Sequence, residues 1–303
     1  MNQINIFSGT SGLNTKLDPV RIQFNPETGI SDLAEAVNIT VDDSGRASRR
    51  PGRILLQEGI FHSLYGNGSF GFVVQERVDD AAIMQISTDY SLSGVRSGLT
   101  KNLRTSFCLV DDKIFYSNGI ENGVIENGVS SAWPTNEHVG PTTSKYFTTA
   151  PIGSHIAWFS GRVWVSKDNI VWYSEPYAYG KFDMARGFIM FDSNVRMVKP
   201  VNTGIFISDN KKTYFFRGTN PKEMVQKTVS NCPAHEWSEA IDLIDLSYKE
   251  IVGDSAIWSS DEGLCIGTED GEIINISKLK IAYPSGTQGA SVVNLTEIIN
   301  SVF

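Results

Sequence analysis

Hydrophobic positions along this chain come in short bursts rather than in the three-to-four spacing of an amphipathic helix. From about residue 53 onward, runs of roughly four to seven residues rich in Val, Ile, Phe, Trp and Tyr recur between Gly, Asn, Asp and Ser. That pattern reads as short strands joined by turns. The runs sort into clusters of three or four. The first is Phe61–Leu64, Gly71–Gln75 and Ala82–Ser87. The second is Ser106–Val110, Lys113–Ser117 and Gly123–Ile125. The third is Ser154–Phe159, Arg162–Ser166, Ile170–Ser174 and Gly187–Phe191. The fourth is Arg196–Pro200, Gly204–Ser208, Thr213–Arg217 and Met224–Ser230, and the fifth is Glu250–Gly253, Ala256–Ser259, Gly263–Gly267 and Glu272–Ile276.

The clusters recur at about 40 to 50 residues, the period of a propeller blade made of one four-stranded antiparallel sheet. The prediction is an all-β chain: a β-propeller of five to six blades over residues 53–303, with an extended N-terminal arm over residues 1–52. Five blades are read directly. A sixth would be assembled from the two termini, with Gly289–Leu295 as its last strand. Turn chemistry agrees, because Asp168-Asn169, Asp209-Asn210 and Asp270-Gly271 fall between paired runs, where residues tolerant of positive φ are needed. The tandem Glu121–Val129 reads as two Asn-Gly turns around a short strand. Helical pattern fits only Ser31–Val37, Pro176–Ala185 and Glu236–Asp245.

Residues 1–52 lack these runs and hold the densest basic cluster, Arg46, Arg49, Arg50 and Arg53. They read as an arm or closing strand docked on the propeller.

Composition narrows the function. Over 303 residues, charged residues are 20% and the net charge is −8, so nucleic acid phosphates are repelled on average rather than gripped. Cys108, Cys232 and Cys265 are odd in number and far apart, without metal-ligand spacing. Nothing near the N-terminus resembles a secretion signal, and no run of about 18 apolar residues would span a membrane.

The motifs carry structure more readily than chemistry. Ser259-Ser260-Asp261-Glu262-Gly263 matches the start of the Asp-box turn of sialidase propellers, in which the carboxylate accepts backbone N–H groups to fix a hairpin. The Trp expected later in that motif is Ile266 here. His62, His138, His155 and His235 show no metal spacing. Cys232 and His235 are three apart, but a thiol–imidazole pair normally meets in space rather than in sequence. Trp158-Phe159, Val163-Trp164 and Trp172-Tyr173 read as packing between blades. Asp42-Asp43, Asp79-Asp80 and Asp111-Asp112 read as solvated turns. No catalytic, cofactor or metal residue is assigned, and the chain is expected not to be an enzyme.

Two stretches carry a resemblance. Asp32–Asn38 leads into Asn38-Ile39-Thr40-Val41-Asp42-Asp43-Ser44-Gly45-Arg46-Ala47-Ser48-Arg49-Arg50-Pro51-Gly52. Further on, Gly161-Arg162-Val163-Trp164-Val165-Ser166 is followed by Val171-Trp172-Tyr173-Ser174-Glu175-Pro176 and then Phe182-Asp183. Taken in order, they resemble the tail-nozzle (tail tubular protein B type) and packaged-DNA stabilisation proteins of short-tailed bacteriophages. The resemblance runs from about residue 8 to 277. The chain is shorter than the larger members, which carry inserted domains.

This likeness implies a structural virion protein of the tail or head-to-tail connector, made in the host bacterial cytoplasm. It would form a six-fold homo-oligomeric ring that contacts other tail or portal and adaptor proteins. Genomic DNA would pass without sequence-specific binding, and no membrane or cofactor would be involved. Arg46, Arg49 and Arg50 are the expected interface residues, pairing with carboxylates of a neighbour or of the same chain. Two other readings stay open: a glycan-binding or glycan-cleaving propeller of the tail, and a host scaffold propeller with peptide partners.

Overall fold

The computed structural model describes residues 9–25, 27, 29–42, 44–66, 70–135, 147–240, 244–245, 253–292 and 301–302. The arm comes first. Strands β1 (Gly9–Leu13) and β2 (Ile30–Leu33) pair in parallel, and β3 (Ile39–Val41) and β4 (Ala47–Arg49) form a hairpin. Thr10 N–H donates to Gly45 O at 2.7 Å, which joins the two pieces.

Five sheets follow, each with its strands in chain order. Blade 1 is β5 (Ile60–Gly66), β6 (Gly71–Glu76), β7 (Ala81–Ile86) and β8 (Leu92–Leu99). Blade 2 is β9 (Ser106–Val110), β10 (Lys113–Ser117), β11 (Asn122–Glu126) and β12 (Val129–Ser131). Blade 3 joins β14 (His155–Phe159), β15 (Arg162–Lys167), β16 (Ile170–Glu175) and β17 (Ala178–Asp183). It also takes β13 (Phe147–Thr148) beside β17, and β18 (Phe188–Met190) beside β16. Blade 4 is β19 (Val195–Val201), β20 (Gly204–Asp209), β21 (Thr213–Arg217) and β22 (Val225–Ser230). Blade 5 is β23 (Ile244–Asp245), β24 (Asp254–Ser260), β25 (Gly263–Gly267) and β26 (Ile273–Asn275). The fold is a β-propeller.

The period-2 alternation explains why the blades stack. Each strand sends alternate side chains into the seam on one side and the next residues into the seam on the other. Phe72, Val74 and Ile83 of blade 1 meet Ile114, Tyr116 and Ile125 of blade 2. Cys108, Phe115 and Val124 of blade 2 meet Ile156, Val163 and Val165 of blade 3. Trp164, Val171 and Tyr173 of blade 3 meet Ile205, Ile207 and Phe216 of blade 4. Met197, Phe206 and Phe215 of blade 4 meet Trp258, Ala256 and Cys265 of blade 5. Each side chain buried this fully contributes about 1.5–3 kcal/mol. The outer faces of blades 1 and 5 carry separate small clusters, around Val73, Ala82 and Met84 and around Ile257, Leu264 and Ile266.

Several expectations change. No α-helix occurs among the described residues. Ile30–Leu33 and Ala178–Asp183 are strands where helix was expected, and residues 236–240 are turn and bridge; residues 241–243 lie outside the described residues. In the Glu121–Val129 repeat only Asn127-Gly128 turns, with φ of 52° and 76°. Asn122-Gly123 lies inside β11, where the Tyr116 ring covers Gly123 so closely that a Cβ would meet Cζ at 2.6 Å. The five blades match the reading. A sixth four-stranded sheet is not present among the described residues. β27 (Ser291–Val292) pairs instead with β28 (Ser301–Val302), and Leu295 lies outside the described residues. The Glu250–Gly253 strand of blade 5 falls largely on residues 246–252, also outside them.

The arm contacts the segment after blade 5. Thr15 N–H donates to Lys280 O at 2.8 Å, and Ala282 N–H donates to Thr15 Oγ1 at 2.8 Å. The Lys280 ammonium reaches Asp32 at 2.7 Å. Burial opposes ionisation of Asp32, yet Lys280, Ser11 and Asn14 hold its carboxyl down to about 2.

Candidate functional site

The innermost strands β5, β9, β14 and β19 surround an axial cavity of about 710 Å³, within the range of small-molecule sites. Its remaining wall comes from two segments between the blades. Glu236 bridges Gln288 in parallel, with Glu236 N–H donating to Thr287 O at 2.9 Å and Gly289 N–H donating to Glu236 O at 2.8 Å. Arg104 Nη1 donates to Gly289 O at 3.0 Å, and Ser291 Oγ donates to Glu239 O at 2.8 Å. The chemistry-bearing lining includes Arg104, Thr105, Trp158, Lys199, Trp237 and Glu239.

His155 anchors this wall. It is buried on β14 and stacks on Trp237, whose φ of 66° is strained for a bulky residue, with ring centroids 4.2 Å apart. Its Nε2 lies 3.3 Å from Glu236 Oε1, and its Nδ1 lies 3.7 Å from Glu239 Oε1. Burial alone would depress its pKa. The two carboxylates outweigh burial and carry it up to about 9. The same pairing holds Glu236 below the usual carboxylate range, against its own desolvation. Two buried polar atoms in the cavity lining are left without a protein partner: Thr105 Oγ1 and Glu239 Oε2.

A second constellation was not legible in sequence. His235 Nδ1 is 3.1 Å from Ser259 Oγ, and its Nε2 is 2.9 Å from Asp261 Oδ1. These are the partners of a hydrolytic triad, but Ser259 is buried on β24 and does not line the cavity. The arrangement ties the segment after blade 4 to the β24–β25 turn. Asp261 also accepts Gly286 N–H at 3.0 Å, so this carboxylate reaches across to other segments and not into its own hairpin. The hairpin-fixing role falls to Asp209, which accepts Lys211 and Lys212 N–H at 2.7 Å each. Cys232 directs its thiol to Pro233 O at 3.8 Å, not to His235.

The other predicted residues lie elsewhere. Phe159, Trp164 and Tyr173 pack between blades, whereas Trp158 is 41% exposed beside the cavity. Arg46, Arg49 and Arg50 are on or beside the β3–β4 hairpin and do not line the cavity. Arg46 and Arg49 are exposed, and Arg50 donates to Asn38 Oδ1 at 3.5 Å. Among the described residues none of the three has a carboxylate within ion-pair distance. After the hairpin, residues 51–58 run without strand pairing. Ile54, Leu55 and Leu56 are 86%, 75% and 57% exposed. No group of three or more His, Cys, Asp or Glu able to hold a metal occurs among the described residues, and no helix among them is long and apolar enough to cross a membrane.

The fold and the axial cavity define a β-propeller, with five blades among the described residues and an N-terminal arm that contacts the segment after blade 5. No family model matches the chain, and no curated protein matches it. Solved structures do. A gluconolactonase from Xanthomonas campestris is 10% identical, with 75% of this chain and 76% of that one covered and a TM-score of 0.46. A candidate 6-phosphogluconolactonase from Bacteroides fragilis is 11% identical over 85% and 80%, with a TM-score of 0.48. A protein from Lactobacillus plantarum is 11% identical over 89% and 92%, with a TM-score of 0.48. They correct the expectation that the chain is not an enzyme: solved chains named as lactonases share this architecture, and the fold therefore does not exclude catalysis. Identity this low assigns no activity.

Proposed function

We propose that this chain is a structural subunit of a bacteriophage tail or head-to-tail connector, assembled into a ring around the DNA channel as nozzle, plug or adaptor. The observation that carries the reading is the segment from Ile54 to Leu56. In extended chain, successive side chains point to opposite sides. Three consecutive large apolar residues, all exposed, therefore mean that neither side is covered by this chain. Exposed apolar surface of this kind marks a contact with another molecule. Val20, Phe24 and Val37 of the arm are exposed as well, and this stretch follows directly on the Arg49-Arg50-Pro51-Gly52 signature on which the resemblance rests.

A closed ring saturates such contacts with copies of the same chain. Arg46 and Arg49 then provide cations for carboxylates of a neighbour whose chain carries a net charge of −8. DNA passes through the centre of the ring and not through the propeller axis, whose cavity has the volume of a small ligand. An acidic wall leaves the phosphates ungripped, so the duplex slides.

The test is to label purified virions with an antibody against the chain and image them. Density at the tail or the head-to-tail junction supports the proposal. Particles that lack the protein contradict it. Changing Arg46, Arg49 and Arg50 together to Glu and finding assembly unchanged removes the three arginines from the interface.

A further inference from the structure

We propose that Ser63, His62 and Glu76 of blade 1 form a Ser–His–Glu triad that cleaves small carboxylic esters through an acyl-enzyme. The three side chains belong to one chain, so this activity stands apart from the ring.

Ser63 and His62 lie on the innermost strand β5, and both line the axial cavity. Ser63 Oγ is 2.8 Å from His62 Nδ1, and His62 Nε2 is 2.9 Å from Glu76 Oε1 on β6. The imidazole thus sits between a hydroxyl and a carboxylate, the order of a nucleophile, its base and the group that orients the base. An ionised carboxylate only accepts hydrogen bonds. Nε2–H therefore donates to Glu76, Nδ1 of the neutral ring is the acceptor, and the Ser63 hydroxyl donates to it. Burial opposes ionisation of Glu76. His62 and the Asn102 N–H, 2.8 Å from Oε1, nevertheless hold its carboxyl below the usual carboxylate range.

Adjacent residues of a regular strand point to opposite faces, and His62 could not then touch Ser63. Here the β5–β6 register shifts between His62 and Tyr65, and Ser63 has a φ of 55°. Bulges re-aim side chains in this way, and left-handed backbone at a serine is strain of the kind that collects at reactive sites. Thr105 N–H, in the segment leading into β9, donates to Ser63 Oγ at 2.9 Å and fixes the hydroxyl from the other side. Access separates this triad from the one at Ser259, which is buried and does not line the cavity. Apolar side chains of the same cavity, among them Leu64, Phe107 and Ile156, suit a short aliphatic acyl group.

In the first step Ser63 Oγ bonds to the ester carbonyl carbon while its proton passes to His62 Nδ1. The tetrahedral adduct collapses, the bond to the alcohol oxygen breaks, and the imidazolium gives its proton to that oxygen. Water then attacks the acyl-enzyme and loses a proton to His62. The bond to Ser63 Oγ breaks, and Oγ takes the proton back. The sum is ester plus water to acid plus alcohol. Glu76 stays ionised, orients the ring and offsets the imidazolium charge, so it is a positioning residue.

The experiment treats the purified chain with a fluorophosphonate probe, reads the labelled peptide by mass spectrometry, and follows hydrolysis of p-nitrophenyl butyrate in parallel. The expected result is a label on Ser63 and saturable hydrolysis. Ser63→Gly suits the left-handed backbone and should lose the label and at least about a hundred-fold in kcat/KM. His62→Ala should lose about 10²–10⁴-fold. Glu76→Gln keeps an acceptor for the Asn102 amide and should lower kcat at least about ten-fold with KM unchanged, a split that a merely structural role would not produce. A wild type that neither takes the label nor turns over the ester overturns the proposal. So does a label confined to another residue, Ser259 included, or a folded Ser63→Gly that hydrolyses at the wild-type rate. The label is read on the wild type, so the test stands even where Ser63→Gly does not fold.

Discussion

The seam between blades 3 and 4 and the linker between arm and propeller are made from the same kinds of residue and meet opposite fates. In the seam, Ile205 and Ile207 of β20 lie among Trp164, Val171 and Phe216 and are fully buried. In the linker, Ile54, Leu55 and Leu56 face solvent. The seam residues alternate with residues that serve the next seam, so every side chain has a sheet to meet. Among the described residues the linker has no pairing strand on either edge and no sheet on either face. Hydrophobicity alone is therefore not the signal for core. Alternation within a four-stranded unit is, and an apolar run without it has no sheet to bury it.

The comparison breaks first at the seam. Trp164→Ala removes a large, fully buried side chain and should destabilise the chain by about 3–5 kcal/mol, measured by denaturant unfolding. Equivalent loss from Leu55→Ser would erase the distinction; the expected change there is within about 0.5 kcal/mol. A smaller effect is expected where a turn is held by one carboxylate. Asp209→Ala should cost about 1–3 kcal/mol, because the Lys211 and Lys212 amides lose their acceptor.

Next comes the pH dependence of the axial wall. Folding raises the pKa of His155 from 6.5 to about 9. The stabilisation is therefore complete below about pH 6.5 and is lost as pH rises through about 9. The thermal midpoint of the wild type should fall across that window more steeply than that of His155→Gln. Parallel curves would mean that the two glutamates do not hold the imidazolium. The smallest effect belongs to the arm. Lys280→Ala breaks a partly exposed ion pair, expected to cost about 1 kcal/mol or less, but limited proteolysis within residues 51–58 should speed up while the blades stay resistant.

The blades were legible because strand, turn and period agreed. Blade 4 was read to within a residue or two at most strand ends. Leu92–Leu99 was missed because Gly94, Gly98 and its polar positions belong to an exposed edge strand with little to bury. Ala178–Asp183 was taken for helix because Tyr177-Ala178-Tyr179 has no simple alternation; tertiary pairing with β16 decides it. The arginines of the arm were legible as a cluster, but their surroundings were not. The axial site was illegible altogether. Thr105, His155, Lys199 and Glu239 come from three blades and a connecting segment, and no spacing in sequence reports that β9, β14 and β19 share an axis. Trp158 was the nearest hint, a tryptophan in a core strand that turns out to face the cavity.

The most direct measurement of the central claim is native mass spectrometry of the wild-type chain beside the triple variant Ile54→Ser, Leu55→Ser, Leu56→Ser. The account predicts a closed assembly of several 33.4 kDa chains for the wild type, formed alone or on addition of virion lysate, and a folded monomer for the variant under both conditions. A wild type that stays monomeric in both, or a variant that assembles as the wild type does, would contradict it.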